Sequence, residues 1–314
     1  MPANEMSNSV YTVRNYQLKD FDKYVLLKNE AEELEPAGRC ISPQVIADRL
    51  GRPNYSPNQD LFIAEIAENI VGFIDATPEM NIRRVILDCW IHPVHRKRGL
   101  ATKLLSYATN RAKELGAQVT HVNIIENNLV AQRVLSRLNF SLVRRFLELS
   151  LDIADIRWSD INQSAPGYHY LQRGEEDKLA HIQNRAFVGT WGYNPSTVEE
   201  IIYRTNLSTY SPEDIALIYS GNKVIGYCWT GTVFEEKFTS ERKGRIFMLG
   251  VDPNYRRKGI GKMVLQAGLA HLKSKGSQIV ELSVDVRNIV ACALYKSIGF
   301  KVQTSSLWYE KVIN

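Results

Sequence analysis

The stretch Val251-Asp252-Pro253-Asn254-Tyr255-Arg256-Arg257-Lys258-Gly259-Ile260-Gly261-Lys262 decides the reading of this chain. It follows an apolar run, Ile246 to Val251, of strand-like composition. Pro253 stops strand pairing because it has no N–H to give. Beyond it, Ile260, Val264, Leu265, Leu269 and Leu272 recur at helical spacing. The basic and glycine residues therefore occupy a strand-to-helix junction. Glycine lets backbone N–H groups approach an anion closely, and the first turn of a helix presents donors without intrahelical partners. Arg256, Arg257, Lys258 and Lys262 add positive charge that suits a pyrophosphate. One such segment by itself reads as a tight basic turn.

A second occurrence changes the weight. Arg96-Lys97-Arg98-Gly99-Leu100-Ala101 matches Arg256 to Gly261 at a shift of 259 − 99 = 160 residues. The same shift carries Pro93 to Pro253, Gly116 to Gly276, Asn128 to Asn288, Ala131 to Ala291 and Phe140 to Phe300. Each unit is domain-sized, so this is duplication of a domain and not a solenoid repeat. The division falls at 1–155 and 156–314, with the polar stretch Asp152 to Gly167, ending in Pro166-Gly167, as the linker.

Both copies predict the same elements. An opening strand (Tyr11 to Tyr16; Tyr168 to Leu171) precedes a helix (Asp22 to Glu33; Asp177 to Phe187). Two strands then form a hairpin, turning at Glu68-Asn69 and at Gly221-Asn222. A third strand leads into the glycine segment and its helix. A strand, a short helix after Asn128 or Asn288, and a closing strand finish each copy. The expected class is α+β, with a mixed, mostly antiparallel sheet flanked by helices in each of two tandem domains.

The chain has 314 residues, 44% hydrophobic and 23% charged, which is ordinary for a soluble globular protein. No apolar run reaches the roughly 18 residues that span a bilayer. Met1 to Glu5 lacks the features of a signal peptide, so no membrane partner and a cytosolic location are expected. The cysteines Cys40, Cys89, Cys228 and Cys292 are scattered without metal-ligand spacing, so neither a disulfide nor a metal site is expected. Cys89 and Cys228 lie in apolar runs and are expected in the core. The net charge of +5 is too diffuse to mark a nucleic-acid partner. No triphosphate-binding or dinucleotide-binding glycine fingerprint is present.

The segment Val251 to Gly261, followed by Asn288-x-x-Ala291-x-x-x-Tyr295-x-x-x-Gly299-Phe300, resembles the acetyl-CoA-binding pattern of the GNAT N-acetyltransferase superfamily. The resemblance covers both halves and is fuller in the second, so it implies two tandem GNAT-like domains with the catalytic one C-terminal. It implies acetyl-CoA as cosubstrate and transfer of acetyl to a primary amine of a small molecule or peptide by direct attack on the thioester. A splayed bulge near Leu249 to Val251 would face the pantetheine arm, and the amides from Arg256 through Arg257, Lys258, Gly259, Ile260 and Gly261 to Lys262 would hold the pyrophosphate. Asn288 would orient the pantetheine, and Tyr295 would protonate the departing thiolate.

Two departures matter. Leu135 stands where the second copy has Tyr295, so the first copy lacks the acid. It keeps Arg96, Gly99, Ala101 and Asn128, which leaves two readings, CoA binding without chemistry or a half that only buries surface. For the general base, Arg245, Phe247 and Leu249 occupy the strand where the family often has glutamate. Asp285 is the first candidate, with Glu281 behind it and Glu235 or Glu236 as loop alternatives. The acceptor is expected near Asn184 to Pro195, where Trp191 and Tyr193 either wall a pocket or pin a loop. In the first copy the corresponding region ends in the acidic run Glu30 to Glu35. A sensor or scaffold that binds CoA without turnover is the reading from another class.

Overall fold

The computed structural model describes residues 11–36, 41–156, 158, 168–207, 209–233 and 242–313. Most of the expected linker, Cys40, and the alternatives Glu235 and Glu236 lie outside them. Two compact units emerge from the contacts, one comprising 1–123, 133–141 and 309–314, the other 124–132 and 142–308.

In the first unit, β1 (Thr12–Asn15), β2 (Leu61–Ile66), β3 (Asn69–Glu79) and β4 (Arg84–Ile91) pair antiparallel in that order. Strand β5 (Val119–Ile125) lies parallel to β4. Helices α1 (Phe21–Leu34) and α2 (Pro43–Leu50) pack through Tyr24, Leu27 and Ile46 on Leu61, Ile63 and Phe73. The short helix α3 (Pro57–Asp60) precedes β2. Helix α4 (Leu100–Glu114) buries Leu100, Leu104, Leu105 and Ala108, and the short helix α5 (Leu129–Arg137) buries Leu135. The hairpin turn sits one residue earlier than expected, since the left-handed residues are Ala67 and Glu68.

In the second unit, β7 (Tyr168–Tyr170), β8 (Ile215–Ser220), β9 (Lys223–Val233) and β10 (Lys243–Val251) pair antiparallel, and β11 (Ile279–Asp285) joins β10 in parallel. Helices α6 (Glu176–Phe187) and α7 (Val198–Thr205) cover one face through Leu179, Ile182 and Ile201. Helix α8 (Ile260–Ser274) covers the other, packing Val264, Leu265, Leu269 and Leu272 on Ile246, Val280 and Leu282. Each such side chain contributes about 1.5–3 kcal/mol when fully buried. Helix α9 (Ile289–Ile298) adds Tyr295 to the same cluster. Sequence periodicity missed α2 and α7, which are only two turns long.

The closing strands depart from expectation. Strand β6 (Ser141–Asp152) ends the first copy in sequence, yet it pairs antiparallel with β11 across Ile279↔Asp152 to Asp285↔Phe146, inside the second unit. Strand β12 (Lys301–Val312) ends the second copy, and its last residues belong to the first unit. There Lys311 O accepts from Thr120 Oγ1, and Ile313 N donates to Gln118 O. The contiguous division at 155 describes the duplication of sequence, and the compact units follow these pairings.

Cys228 is fully buried as expected, whereas Cys89 is exposed. Cys89 shares the face of Val85 and Leu87, but β4 pairs with β5 only as far as Leu87↔Val122. Past that point the two strands separate, and the core opens. Among the described residues no helix is long and apolar enough to cross a membrane.

Candidate active site

The separation seen at Cys89 recurs in the second unit. Strands β10 and β11 pair only from Lys243↔Ile279 to Ile246↔Leu282. A register shift between Ile246 and Met248 then turns β10 away, while Leu249, Gly250 and Val251 still pair with β9. The bulge thus sits earlier than Leu249 to Val251, and those residues form the arm of the fork that it opens. A parallel pair that stops pairing leaves backbone donors and acceptors facing a cleft, which is what an extended amide-bearing ligand needs.

The fork leads directly to the glycine segment. Arg256 is extended, Arg257 is left-handed with φ 61°, and Gly259 is left-handed with φ 80° before Ile260 starts α8. Left-handed residues in such a turn aim successive N–H groups inward, making an anion-binding concavity beside the helix N-terminus. The first unit repeats the geometry, with Lys97 at φ 62° and Gly99 at φ 78° before Leu100.

The side chains of Arg256 and Arg96 also brace the loop. Arg256 donates from Nε to Val251 O at 3.3 Å and from a terminal nitrogen to Ala186 O at 2.7 Å. Arg96 donates from Nε to Ile91 O at 2.8 Å, and its other nitrogens grip Glu35 at 2.8 and 2.7 Å. Both arginines shape the loop from behind. Arg257, Lys258 and Lys262 remain exposed around it.

Asp252, fully buried, anchors this loop. It accepts from Arg185 at 2.9 and 3.1 Å and from Asn254 N at 3.0 Å, and Lys223 lies 2.9 Å away. Hydrogen bonding from Arg185, with further help from Lys223 and the Asn254 amide, outweighs burial and holds its carboxyl well below the usual range. A depressed folded-state pKa means that its stabilisation is complete above the unfolded value, near pH 4, and is lost as pH falls through the folded one. Asp252→Asn is therefore expected to lower the melting temperature by several degrees at pH 7. The gap should shrink below about pH 4, where the unfolded chain's carboxyl takes up a proton that the folded one resists, which favours unfolding of the wild type; thermal melts at pH 7 and pH 2 check this. Gly250 lets α6 come close enough for these contacts, because a Cβ there would stand 2.7 Å from Ala186 Cβ and 2.5 Å from the Tyr227 ring.

Asn288 and Asn128 each cap the following helix, accepting from Ala291 N at 3.1 Å and from Ala131 N at 2.9 Å. Gly261 lies in the first turn of α8, as Ala101 does in α4. Tyr295 packs edge-on against Phe300 with ring centroids 5.7 Å apart, and burial raises its phenol above the ordinary value. The group is thus protonated at neutral pH, as a proton donor must be. At the matching position Leu135 is buried, and Phe140 N donates to its carbonyl at 3.0 Å just as Phe300 N does to Tyr295 O at 3.1 Å. The backbone is the same and the hydroxyl is missing.

Asp285 accepts from Arg287 N at 2.9 Å, and its other oxygen lies 3.9 Å from Arg144 Nε, so it holds the turn leading to Asn288. Glu281 lies 3.6 Å from Lys243. Tyr193 donates to Asn184 Oδ1 at 2.7 Å and stacks on Phe187 at 5.2 Å, so it fastens the loop after α6. Trp191 instead meets Phe146 and Trp308 at 6.2 and 5.8 Å between ring centroids, with the Arg144 guanidinium 5.3 Å above it. Phe146 and Trp308 escaped sequence reasoning because β6 and β12 lie far from residues 184–195 in the chain; the aromatic content of each strand was the only signal.

Residues 25–140 and 176–300 both match the model of the acetyltransferase (GNAT) family. The chain belongs to that family and is an N-acetyltransferase built from two tandem GNAT domains. It is 25% identical over 302 residues to the mycothiol acetyltransferase of Amycolatopsis mediterranei, covering 93% of this chain and 95% of that protein. The mycothiol acetyltransferase of Thermobispora bispora is 33% identical over 144 residues, 44% of this chain and 47% of that one. Among solved structures, a GCN5-related N-acetyltransferase from Sphaerobacter thermophilus aligns with TM-score 0.70 at 19% identity, over 97% of this chain and 96% of its own. A tandem GNAT protein from the clavulanic acid biosynthesis pathway aligns with TM-score 0.71 at 13% identity, over 97% and 99%. At these identities the structural likeness concerns the fold.

Proposed function

We propose that the chain transfers acetyl from acetyl-CoA to a primary amine of a small molecule or peptide, and that the C-terminal copy carries the chemistry. The observation that carries this reading is the buried phenol of Tyr295 on the helix after Asn288, with Leu135 at the matching place in the first copy. The loop amides from Arg256 to Lys262 would hold the pyrophosphate, and Leu249 to Val251 would line the pantetheine. The acceptor's ammonium first loses a proton to solvent; the neutral amine then forms the C–N bond as the C–S bond breaks, the Tyr295 hydroxyl gives its proton to sulfur, and the proton shed by the new amide nitrogen restores the phenol through solvent. Asp285 braces the turn that leads to Asn288. Relatives named mycothiol acetyltransferase favour a small-molecule acceptor over a peptide.

Release of free CoA from acetyl-CoA with a panel of primary amines tests the reading. Amine-dependent release is expected; binding of acetyl-CoA without consumption by any amine would establish the non-catalytic sensor instead. The first copy retains the loop and lacks the phenol, which favours binding without turnover there. Gly99→Asp places a carboxylate at its anion loop with a residue type that tolerates left-handed backbone. The turnover rate is expected to stay within about twofold of wild type, while calorimetry shows fewer acetyl-CoA molecules bound per chain. Loss of turnover in a folded variant would place the chemistry in, or couple it to, the first copy.

A further inference from the structure

We propose that Glu148 receives the acceptor, binding its primary ammonium at the mouth of the fork between β10 and β11 with the acceptor's body against Phe146, Trp191 and Trp308. This rests on the acetyl-transfer reading above and names the acceptor class, a cationic primary amine on a flat or apolar body.

The position follows from strand register. Glu148 on β6 stands opposite Ser283, the residue immediately after Leu282, at which β10 and β11 stop pairing. Leu147, Leu149 and Leu151 face the core beneath α8, so the alternate residues Phe146 and Glu148 share the opposite face. Two hydroxyls fix one carboxylate oxygen, Ser283 Oγ at 3.1 Å and Ser306 Oγ at 2.8 Å from Oε1. The other oxygen, Oε2, faces Arg245 at 3.9 Å, too far for a hydrogen bond. Glu148 is thus a partly dehydrated carboxylate, 23% exposed, with one oxygen held and the other turned to a cation that does not bond it. The Arg245 side chain is 41% exposed, so its displacement into water by an incoming ammonium costs little.

The neighbours complete the description. Phe146, two residues along the same face, lies with its ring centroid 6.2 Å from Trp191 and 6.4 Å from Trp308. Rings so grouped offer a broad apolar surface next to one anionic oxygen, which suits a compact cation carried on a flat body. A carboxylate beside the acceptor's ammonium would meet Glu148 and be disfavoured, since Arg245 is displaced into water and Arg144 already faces Asp285 and Trp191.

Tyramine and tyrosine are matched probes, since they share ring and amine and differ by a carboxylate. Wild type is expected to favour tyramine by about tenfold or more in kcat/KM, with a tyramine KM that rises with added salt. Glu148→Gln keeps the shape and the serine bonds. It should raise the tyramine KM about tenfold, leave the acetyl-CoA KM unchanged, and abolish both the salt dependence and the discrimination against tyrosine. A merely structural role for Glu148 would not move the last two. Quenching of tryptophan fluorescence by tyramine, without acetyl-CoA, reads the same site independently of turnover. Equal tyramine affinity and salt dependence in the two proteins overturns the proposal, whether or not amines are acetylated. Absence of amine-dependent CoA release from wild type overturns the acetyl-transfer reading instead.

Discussion

Tyr295→Phe is expected to lower the turnover rate at least about tenfold, with acetyl-CoA affinity and melting temperature close to wild type. General acid catalysis of this kind is worth about a hundred- to ten-thousand-fold, and water recovers part of it when the acid is removed. The substitution keeps the ring, its burial in the α8 and α9 cluster, and its edge-on contact with Phe300. Only the proton donor is lost. Because burial raises the phenol's pKa, wild-type activity should show no decline attributable to Tyr295 ionisation up to about pH 10, the ordinary tyrosine value. Steady-state rates, with a pre-steady-state burst assay to show that chemistry limits turnover, check the prediction. An unchanged chemical rate in Tyr295→Phe would move the acid elsewhere and remove the significance of Leu135.

Gly261→Glu is expected to weaken acetyl-CoA binding by at least about a hundredfold. The substitution fits the apo fold, since a Cβ there would lie 3.5 Å from Leu294 and 3.8 Å from Val251, ordinary contact distances. A carboxylate in the first turn of a helix also favours the dipole, so stability should hold or rise slightly. Where it fails is toward a pyrophosphate. Two like charges at 4 Å repel by about 4 kcal/mol at an effective dielectric of 20, which corresponds to nearly a thousandfold. Calorimetric titration of the folded variant is the measurement, and wild-type affinity would remove the glycine segment of the second copy from the binding site.

Much of the candidate site's local geometry was legible before the fold was known because its parts are local. The glycine segment needs a strand end, a turn with left-handed residues and a helix start, and all three are written within residues 251–262. Tyr295 follows Asn288 along one short helix, so its place is also fixed by spacing. The partners of Arg256 and Asp285 were not legible, because a charged residue's partner is chosen in space. Ala186 and Arg144, which meet them, lie 70 and 141 positions away along the sequence. Glu148 was invisible for the same reason, as it meets Ser283 and Ser306 only through pairing between distant strands.

The sequence by itself determined that a domain is duplicated, that each copy is α+β, and that each carries a loop suited to an anion. Periodicity and turn chemistry act over a dozen residues and need no partner. Only the tertiary structure decided which unit each closing strand joins. Strands β6 and β12 occupy equivalent places in the repeat, so local pattern gives them equal claim to either slot. The choice rests on backbone pairing and side-chain fit across more than a hundred residues, Phe146 to Asp285 being one such pair. That choice carries Phe146 and Glu148 into the second unit, beside the fork and on the opposite face of the sheet from the α8 core.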